Sequence, residues 1–162
     1  GYSYTKRFTW LCHYWLGVAC AAAPMGAFLA LSGRFELGYF ALAGAVALWV
    51  AGFDILYALQ DIEFDRSAGL RSVPARFGAR GARLIAALSH AGTVAALAAL
   101  PLFWELSWPY MAGVALAAAL LAAEHLIALG GTERHIRIAS YSINEILPLV
   151  VLAATAADVY LA

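Results

Sequence analysis

Charged side chains are scarce in this sequence. Only 12% of the 162 residues are Asp, Glu, Lys or Arg, whereas 64% are hydrophobic. A soluble chain of this length cannot hide that much apolar surface in its core, which excludes a water-soluble globular domain. Acidic and basic residues are equal in number, ten of each, and a nucleic-acid-binding face needs a basic excess. Nucleic acid is therefore not expected as a partner.

Cysteine is scarcer still. Cys12 and Cys20 are the two in the chain, and they stand in one apolar run without the spacing of a metal or redox motif. We interpret both as small buried apolar residues.

Long apolar runs fill most of the chain. Five of them are long enough to cross a hydrocarbon layer of ~30 Å at a rise of ~1.5 Å per helical residue. They lie at Trp10–Leu31, Leu37–Leu59, Ala82–Phe103, Trp108–Leu129 and Ile138–Leu161. Residues 1–162 are thus predicted to form a single all-α integral membrane domain, a bundle of about five transmembrane helices in the lipid bilayer.

Basic residues predict the orientation of this bundle. All Lys and Arg residues except Arg34 precede the first run, lie between the second and third or the fourth and fifth, or, in the case of Arg83, stand at the very start of the third. Loops rich in Lys and Arg stay in the cytoplasm. We therefore expect a multi-pass protein of the cytoplasmic (inner) membrane, with its N-terminal segment and long central loop on the cytoplasmic side.

Acidic residues concentrate at the end of the second run. Asp54, Asp61 and Asp65 recur close to helical spacing, so they would share one stripe of a continuous helix. A cation would relieve their repulsion, and oxygen ligands favour Mg²⁺, which also bridges to phosphates. Alternatively, these acids pair with the arginines of the following loop. Gly69 is expected to end this helix and Pro74 to begin the next.

The segments that carry these charges resemble a known family. Residues 54–65, DILYALQDIEFD, and 69–78, GLRSVPARFG, are similar to the second aspartate-rich motif of the UbiA superfamily of intramembrane aromatic prenyltransferases. The opening YSYTKRFTW resembles the YxxxK loop of that family. Within the superfamily, these segments look most like the polyprenyltransferases of menaquinone biosynthesis, which are relatives of the 4-hydroxybenzoate enzymes of ubiquinone synthesis.

The resemblance implies a reaction and a set of residue roles. Mg²⁺ and basic residues would draw off the diphosphate of a polyprenyl diphosphate, and the allylic cation would alkylate an aromatic acceptor of the hydroxybenzoate or dihydroxynaphthoate type. The implied site comprises the catalytic residues Asp54, Tyr57, Asp61 and Asp65, of which Asp61 and Asp65 bind the metal, and the diphosphate-binding residues Tyr2, Lys6 and Arg71.

One motif of the family is missing. Its members carry NxxxDxxxD on an earlier helix, whereas the single asparagine here is Asn144 and no acid precedes Glu36. The chain is therefore expected to match the C-terminal part of the nine-helix UbiA fold and to need a complementary N-terminal half for the full reaction. The alternative is a non-catalytic membrane subunit that uses its Asp and Arg loop as a docking surface.

Other polar residues fall inside the apolar runs. His13 and His90 are interpreted as packed side chains, with a proton-accepting role as the alternative, and Asp158 as interfacial. Four residues are expected to hydrogen-bond to neighbouring helices or to reach the interface, with contact to the acceptor ring as the alternative: Glu124, His125, Asn144 and Glu145.

Overall fold

The computed structural model describes residues 2–130 and 132–161, except for the side chains of Tyr2, Ser3, Glu133, Arg137, Tyr141 and Ser142. The described residues form α-helices joined by short 3₁₀ and π-helical turns, and they contain no strand. The α-helices are α1 (Cys12–Ser32), α2 (Leu37–Tyr57), α3 (Ile62–Ser67), α4 (Val73–Ala98), α5 (Trp108–Ala128), α6 (Glu133–Arg137) and α7 (Asn144–Leu161). The 3₁₀ helices are Tyr2–Arg7, Ala58–Asp61 and Leu100–Leu102, and the π-helical turn is Ile138–Ile143.

The five predicted spans are confirmed. The stretches long and apolar enough to cross a membrane are Cys12–Ser32, Leu37–Ser67, Val73–Leu102, Trp108–Ala128 and Arg134–Leu161. Large apolar side chains such as Leu88, Leu126 and Leu152 are exposed on the outside of the bundle. In a membrane protein this outer surface meets lipid, which is as apolar as the side chains themselves.

The third stretch begins earlier than its apolar run. The Ser72 hydroxyl caps α4 by accepting a hydrogen bond from the Ala75 N–H at 3.2 Å, and Pro74 fits the first turn because that turn leaves its N–H groups unpaired. Gly78 then interrupts the helix with a φ of +69°, a conformation that other residues rarely adopt. Gly69, with a φ of +65°, lies just before α4. The predicted Gly and Pro boundaries are therefore present, followed by a break at Gly78.

The helices pack in a chain of neighbours. α1 packs on α2, α2 on α4, α4 on α5, and α5 on α7. One buried apolar cluster, which includes Ile55, Leu56 and Val73, joins α2 to α4 near the residues 58–72. A second cluster, which includes Leu97 and Tyr110, lies nearer the Leu100–Ser107 connection. The bundle thus has one end formed by the N-terminal segment and residues 58–72, here called the loop end.

One sequence-based interpretation is wrong. Cys12 is buried as expected, but Cys20 is exposed on α1, where it faces the surroundings of the bundle. Asp158, which the sequence predicts to be interfacial, lies near the end of α7 and is buried, and its carboxylate accepts hydrogen bonds from the Ser107 hydroxyl at 2.6 Å and from the Ser107 N–H at 3.0 Å. It thereby satisfies donors at the start of α5, which has no side-chain cap of its own.

Candidate functional site

The N-terminal segment folds against the loop that precedes α4. The backbone N–H of Arg71 donates to the Lys6 carbonyl at 2.6 Å, and the Arg71 guanidinium Nη1 donates to the Phe8 carbonyl at 2.8 Å. Leu70 closes the loop by donating its N–H to the Asp65 carbonyl at 2.7 Å. Two segments that the sequence separates by more than fifty residues therefore form one surface at the loop end.

An ion pair joins these segments. Lys6 Nζ lies 3.3 Å from Asp65 Oδ2, and the side chain of Asp65 is only 1% exposed, against 33% for Lys6. A buried carboxylate is costly unless a cation or hydrogen-bond donors compensate it. Lys6 supplies that compensation, so the predicted diphosphate-binding lysine and one predicted metal ligand are direct neighbours.

Asp54 lies in a different setting. Its Oδ2 is 2.6 Å from Nδ1 of His13, whose Nε2 accepts the backbone N–H of Val73 at 3.3 Å. Since Nε2 is an acceptor, the ring proton is assigned to Nδ1, facing Asp54. His13 therefore links α1, α2 and α4. It has a definite polar role beyond the packing predicted for it.

The three carboxylates have different partners. The chain changes from α-helix to 3₁₀-helix between Ala58 and Asp61, which tightens the turn from about 3.6 to about 3.0 residues. Asp54 then meets His13 and Asp65 meets Lys6, while Asp61 is partly buried. Among the described residues, no group of three or more His, Cys, Asp or Glu side chains is placed to hold a metal. Asp61 and Asp65 stay a predicted pair of ligands.

Three arginines line a cavity at the loop end, next to the segment that carries Lys6 and the loop that follows Asp65. The cavity has a volume of about 600 Å³ and is lined by Arg66, Arg71 and Arg76 together with residues 8–10. Arg76 stacks 5.2 Å from the centroid of the Trp10 ring, which holds its guanidinium in place. Several guanidinium groups around one cavity suit an anion with several oxygens, because each planar fork can bind two of them.

We call Lys6, Asp61, Asp65 and Arg71 the loop-end cluster. Two predicted site residues with described side chains, Asp54 and Tyr57, are not part of it. Tyr57 is partly buried at the end of α2 and lines a cavity with Asp54. The side chain of Tyr2 lies outside the described residues.

A second set of polar residues lies in the interior of the bundle, between the helices. Trp49 Nε1 donates to Asn144 Oδ1 at 2.5 Å, and Asn144 Nδ2 donates to Glu124 Oε1 at 2.9 Å. His90 Nδ1 lies 3.0 Å from His125 Nε2 and 3.6 Å from Glu124 Oε2. These five residues, here the inner network, join α2, α4, α5 and α7. The predicted hydrogen bonding of Glu124, His125 and Asn144 across helices is therefore observed.

Sequence reasoning missed how His90 and Trp49 contribute. The sequence predicts only a packing role for His90, yet its Nε2 also lies 3.3 Å from the Trp49 carbonyl. The available signal was the coincidence of the single asparagine, an acid and two histidines within apolar runs. That signal indicates that polar partners exist, but it does not pair them.

Two further cavities lie within the bundle. One of about 360 Å³ is lined by Trp49, Phe53, Asp54, Tyr57, Ser140, Asn144 and Glu145. The other has a volume of about 610 Å³ and lies toward the Leu100–Ser107 connection, at the end of the bundle opposite the loop end. Apolar side chains of α2, α4, α5 and α7 form most of its wall, among them Leu42, Leu97, Leu147 and Val151. An apolar cavity of this size suits a hydrocarbon ligand.

Comparison with known proteins now decides the family. The model of the UbiA prenyltransferase family matches residues 1–145. The chain belongs to this family. The UbiA resemblance of its acid and lysine motifs is confirmed, and with it the assignment of the helical bundle to the UbiA fold.

Its relatives are longer proteins. The 4-hydroxybenzoate octaprenyltransferase of Methylococcus capsulatus is 35% identical over 117 residues, which are 72% of this chain and 40% of that protein. The enzyme of the same name from Xanthomonas campestris is 38% identical over 128 residues, 78% of this chain and 42% of that protein. The chain thus spans about two fifths of the length of these curated relatives.

A solved structure shows the same arrangement of helices. The apo structure of a UbiA homolog from Aeropyrum pernix K1 superimposes with a TM-score of 0.85 at 31% identity, and the match covers 98% of this chain and 59% of that one. The fold similarity therefore extends over nearly the whole chain, beyond the motifs themselves.

Proposed function

We propose that this chain forms the C-terminal part of an enzyme that transfers a polyprenyl group from a polyprenyl diphosphate to an aromatic acceptor. The observation that carries the proposal is the contact between Lys6 and Asp65 at 3.3 Å. This contact brings the lysine segment of a UbiA-family chain onto its acid- and arginine-bearing loop. Positive and negative side chains then stand together where a metal diphosphate would need both.

The donor chemistry of Asp61 and Asp65 fits Mg²⁺. Both offer carboxylate oxygens, which hard divalent cations prefer, and the Lys6 partner of Asp65 indicates that this carboxylate accommodates a cation. Asp61 and Asp65 would hold the ion, and Asp54 would support them from the end of α2. When bound, Mg²⁺ supplies positive charge that offsets the charge of the departing diphosphate.

Basic side chains bind the diphosphate and stabilise its charge. Lys6 and Arg71 bind its oxygens, and Arg66 and Arg76 line the adjoining cavity. Cationic groups held in place before the reaction stabilise charge as it develops on the leaving group. Tyr57 and Tyr2 would border the allylic cation, as the family resemblance implies.

The substrates follow from the cavities and the relatives. The apolar cavity of about 610 Å³ accommodates part of the prenyl chain. The relatives named 4-hydroxybenzoate octaprenyltransferase favour a hydroxybenzoate acceptor, and a dihydroxynaphthoate acceptor, as in menaquinone biosynthesis, is the second candidate. The excess of Lys and Arg at the loop end supports placing this end on the cytoplasmic side of the cytoplasmic membrane.

A complementary N-terminal half completes the proposed enzyme. One aspartate-rich motif with Lys6 and Arg71 binds a diphosphate but leaves part of its developing charge uncompensated. We therefore expect the 162-residue chain to bind a prenyl diphosphate and to transfer the prenyl group only when helices bearing NxxxDxxxD are supplied.

The test separates binding from turnover. The chain in lipid nanodiscs is titrated with farnesyl diphosphate, with and without Mg²⁺, and prenyl transfer to 4-hydroxybenzoate and to dihydroxynaphthoate is then assayed with and without added N-terminal helices. We expect Mg²⁺-dependent binding in both preparations and transfer only in the completed one. Binding that ignores Mg²⁺, with no transfer in either, would favour the docking subunit, while robust transfer by the chain alone would refute its incompleteness.

A further inference from the structure

His13 belongs to the apolar helix α1, yet both of its ring nitrogens have polar partners on other helices. Its side chain is 0% exposed, so water does not hydrate the ring. Nδ1 lies 2.6 Å from Asp54 Oδ2 on α2, and Nε2 accepts the N–H of Val73 on α4 at 3.3 Å. A buried imidazole bonded at both nitrogens is held in one orientation and one protonation state.

The bond to Val73 decides what the ring offers to Asp54. Val73 is the first residue of α4, and its N–H is one of those that the first turn of a helix leaves unpaired. A backbone N–H can only donate, so Nε2 carries a lone pair and the ring proton is on Nδ1. A neutral His13 therefore donates to the Asp54 carboxylate and leaves the negative charge of that carboxylate in place.

Asp54 is the member of this pair that a ligand can reach. Its side chain is 28% exposed, and it lines the cavity of about 360 Å³ at the end of α2. A carboxylate that accepts a hydrogen bond from a fixed, buried donor keeps one orientation, whereas a free carboxylate rotates among several. The ring thus orients the group, and the group meets the ligand.

The same ring connects Asp54 to the loop that carries Arg71. Arg71 lies two residues before Val73. Cys12, which precedes His13, also contacts this loop, with its Sγ 3.5 Å from the Arg71 carbonyl. The start of α1 therefore contacts both the α2 carboxylate and the loop of the predicted diphosphate-binding arginine.

We propose that His13 is a positioning residue of the transferase, which orients the Asp54 carboxylate through Nδ1–H and ties it through Nε2 to the loop of Arg71. The inference rests on the proposed function and adds a buried residue that acts through Asp54. Hydrogen-bond donors to the carboxylates around a metal typically change metal affinity about 10- to 100-fold. Loss of the His13 donor should therefore reduce the gain in diphosphate affinity that Mg²⁺ provides.

Two variants of His13 separate positioning from packing. His13→Leu fills the space without a donor or an acceptor, whereas His13→Asn places an amide N–H near the position of Nδ1 and loses only the acceptor for Val73. Each chain in nanodiscs is titrated with farnesyl diphosphate, with and without Mg²⁺. We expect the Mg²⁺-dependent gain in affinity to fall about tenfold or more in His13→Leu and to stay within about threefold in His13→Asn.

Tyr14→Phe is the matched control. The Tyr14 hydroxyl lies 2.9 Å from Ser89 Oγ, so it also joins α1 to α4, but through Ser89 instead of Asp54. Tyr14→Phe should lower the midpoint of SDS unfolding and leave the Mg²⁺-dependent gain unchanged. If it reduces the gain as much as His13→Leu does, any weakening of the contact between α1 and α4 is sufficient, and the positioning role is refuted.

A spectroscopic readout tests the hydrogen bonds directly. In a chain with ¹⁵N-labelled histidine, the nitrogen chemical shifts report which ring nitrogen carries the proton, and the His13 signals are those missing from His13→Asn. We expect the Nδ1–H form near neutral pH. A ring protonated at Nε2 would overturn the proposal, because it could not accept the Val73 N–H.

The two proposals fail in different ways. Absence of Mg²⁺-dependent farnesyl diphosphate binding by the unmodified chain refutes the proposed transferase. Such binding, together with the same gain in His13→Leu and His13→Asn, refutes the positioning role alone.

Discussion

The loop-end cluster and the inner network are both polar groups in an apolar bundle, but their surroundings differ. Arg71 is exposed and Lys6 and Asp61 are partly so, so water can hydrate these three charges of the cluster, while the buried Asp65 is compensated by Lys6. Glu124 in the inner network is 0% exposed, and its oxygen bonds to another side chain of the network. Polar groups that water can reach are free to exchange one partner for a ligand, whereas those enclosed by helices depend on one another.

This difference assigns different consequences to substitutions. Changes at the loop end should alter ligand binding and rate while the fold persists. Changes in the inner network should lower the free energy of unfolding, because each lost partner leaves another buried group unpaired.

The largest expected effect is on catalysis at the loop end. In the enzyme completed with its N-terminal helices, Asp61→Ala removes a proposed metal ligand and should lower kcat/KM at least about 10²-fold, or about 2.7 kcal/mol at ~1.36 kcal/mol per decade. The free energy of unfolding should change little, because Asp61 is only partly buried. Steady-state kinetics and SDS-titration unfolding measure the two quantities.

Glu63→Ala is the matched control for this variant. Glu63 is an exposed acid two residues away, so its loss should leave kcat/KM within about twofold. A normally expressed Asp61→Ala enzyme with unchanged kcat/KM would contradict the metal role.

The next effect is on stability in the inner network. Asn144→Leu leaves both the Trp49 indole N–H and a Glu124 oxygen without a partner, and should lower the free energy of unfolding by about 2 to 3 kcal/mol. Glu124→Gln retains an oxygen that accepts the Asn144 amide, and should lower it by less than about 1 kcal/mol. SDS titration followed by circular dichroism measures both, and equal values for the two variants would argue against the network.

Two glycines of α2 sharpen the comparison further. A Cβ at Gly52 would collide with the His90 ring, whereas one at Gly44 would meet open space. Gly52→Ala should therefore destabilise the bundle by about 1 to 2 kcal/mol through overpacking, and Gly44→Ala should be neutral or stabilise it by up to about 1 kcal/mol. The same SDS titration measures both, and a harmless Gly52→Ala would show that the inner network tolerates displacement.

The smallest structural effect is expected from a labelling variant. Arg71 is exposed at the loop end, so Arg71→Cys in a chain with Cys12→Ala and Cys20→Ala should retain the fold. A membrane-impermeant maleimide should label it only from the cytoplasmic side. Labelling from outside would reverse the proposed topology.

Much of the fold could be predicted because it depends on local composition. The five apolar runs are helices in the structure, and Pro74 begins α4. The change to 3₁₀-helix at Ala58–Asp61 was not predicted. Helical spacing alone contains no signal for such a change.

The candidate site divides in the same way. Asp65 could be selected from the spacing of the acids, and Lys6 and Arg71 from the resemblance of their motifs to the UbiA family, but the ion pair of Lys6 with Asp65 and the bond of His13 to Asp54 could not. Asp158 shows the same limit, because its burial follows from Ser107 and Tyr110, which lie about fifty residues earlier in the sequence.

The sequence by itself determined that the chain spans a membrane with helices, where those helices run, and which charged motifs they carry. These properties follow from the transfer of each residue between water and hydrocarbon, which depends on neighbours along the chain. The tertiary structure decided which polar groups meet, because Trp49, Glu124 and Asn144 come together only when three helices are rotated so that their polar sides face inward. That rotation depends on packing among distant segments, and it also forms the cavity beside Ser140.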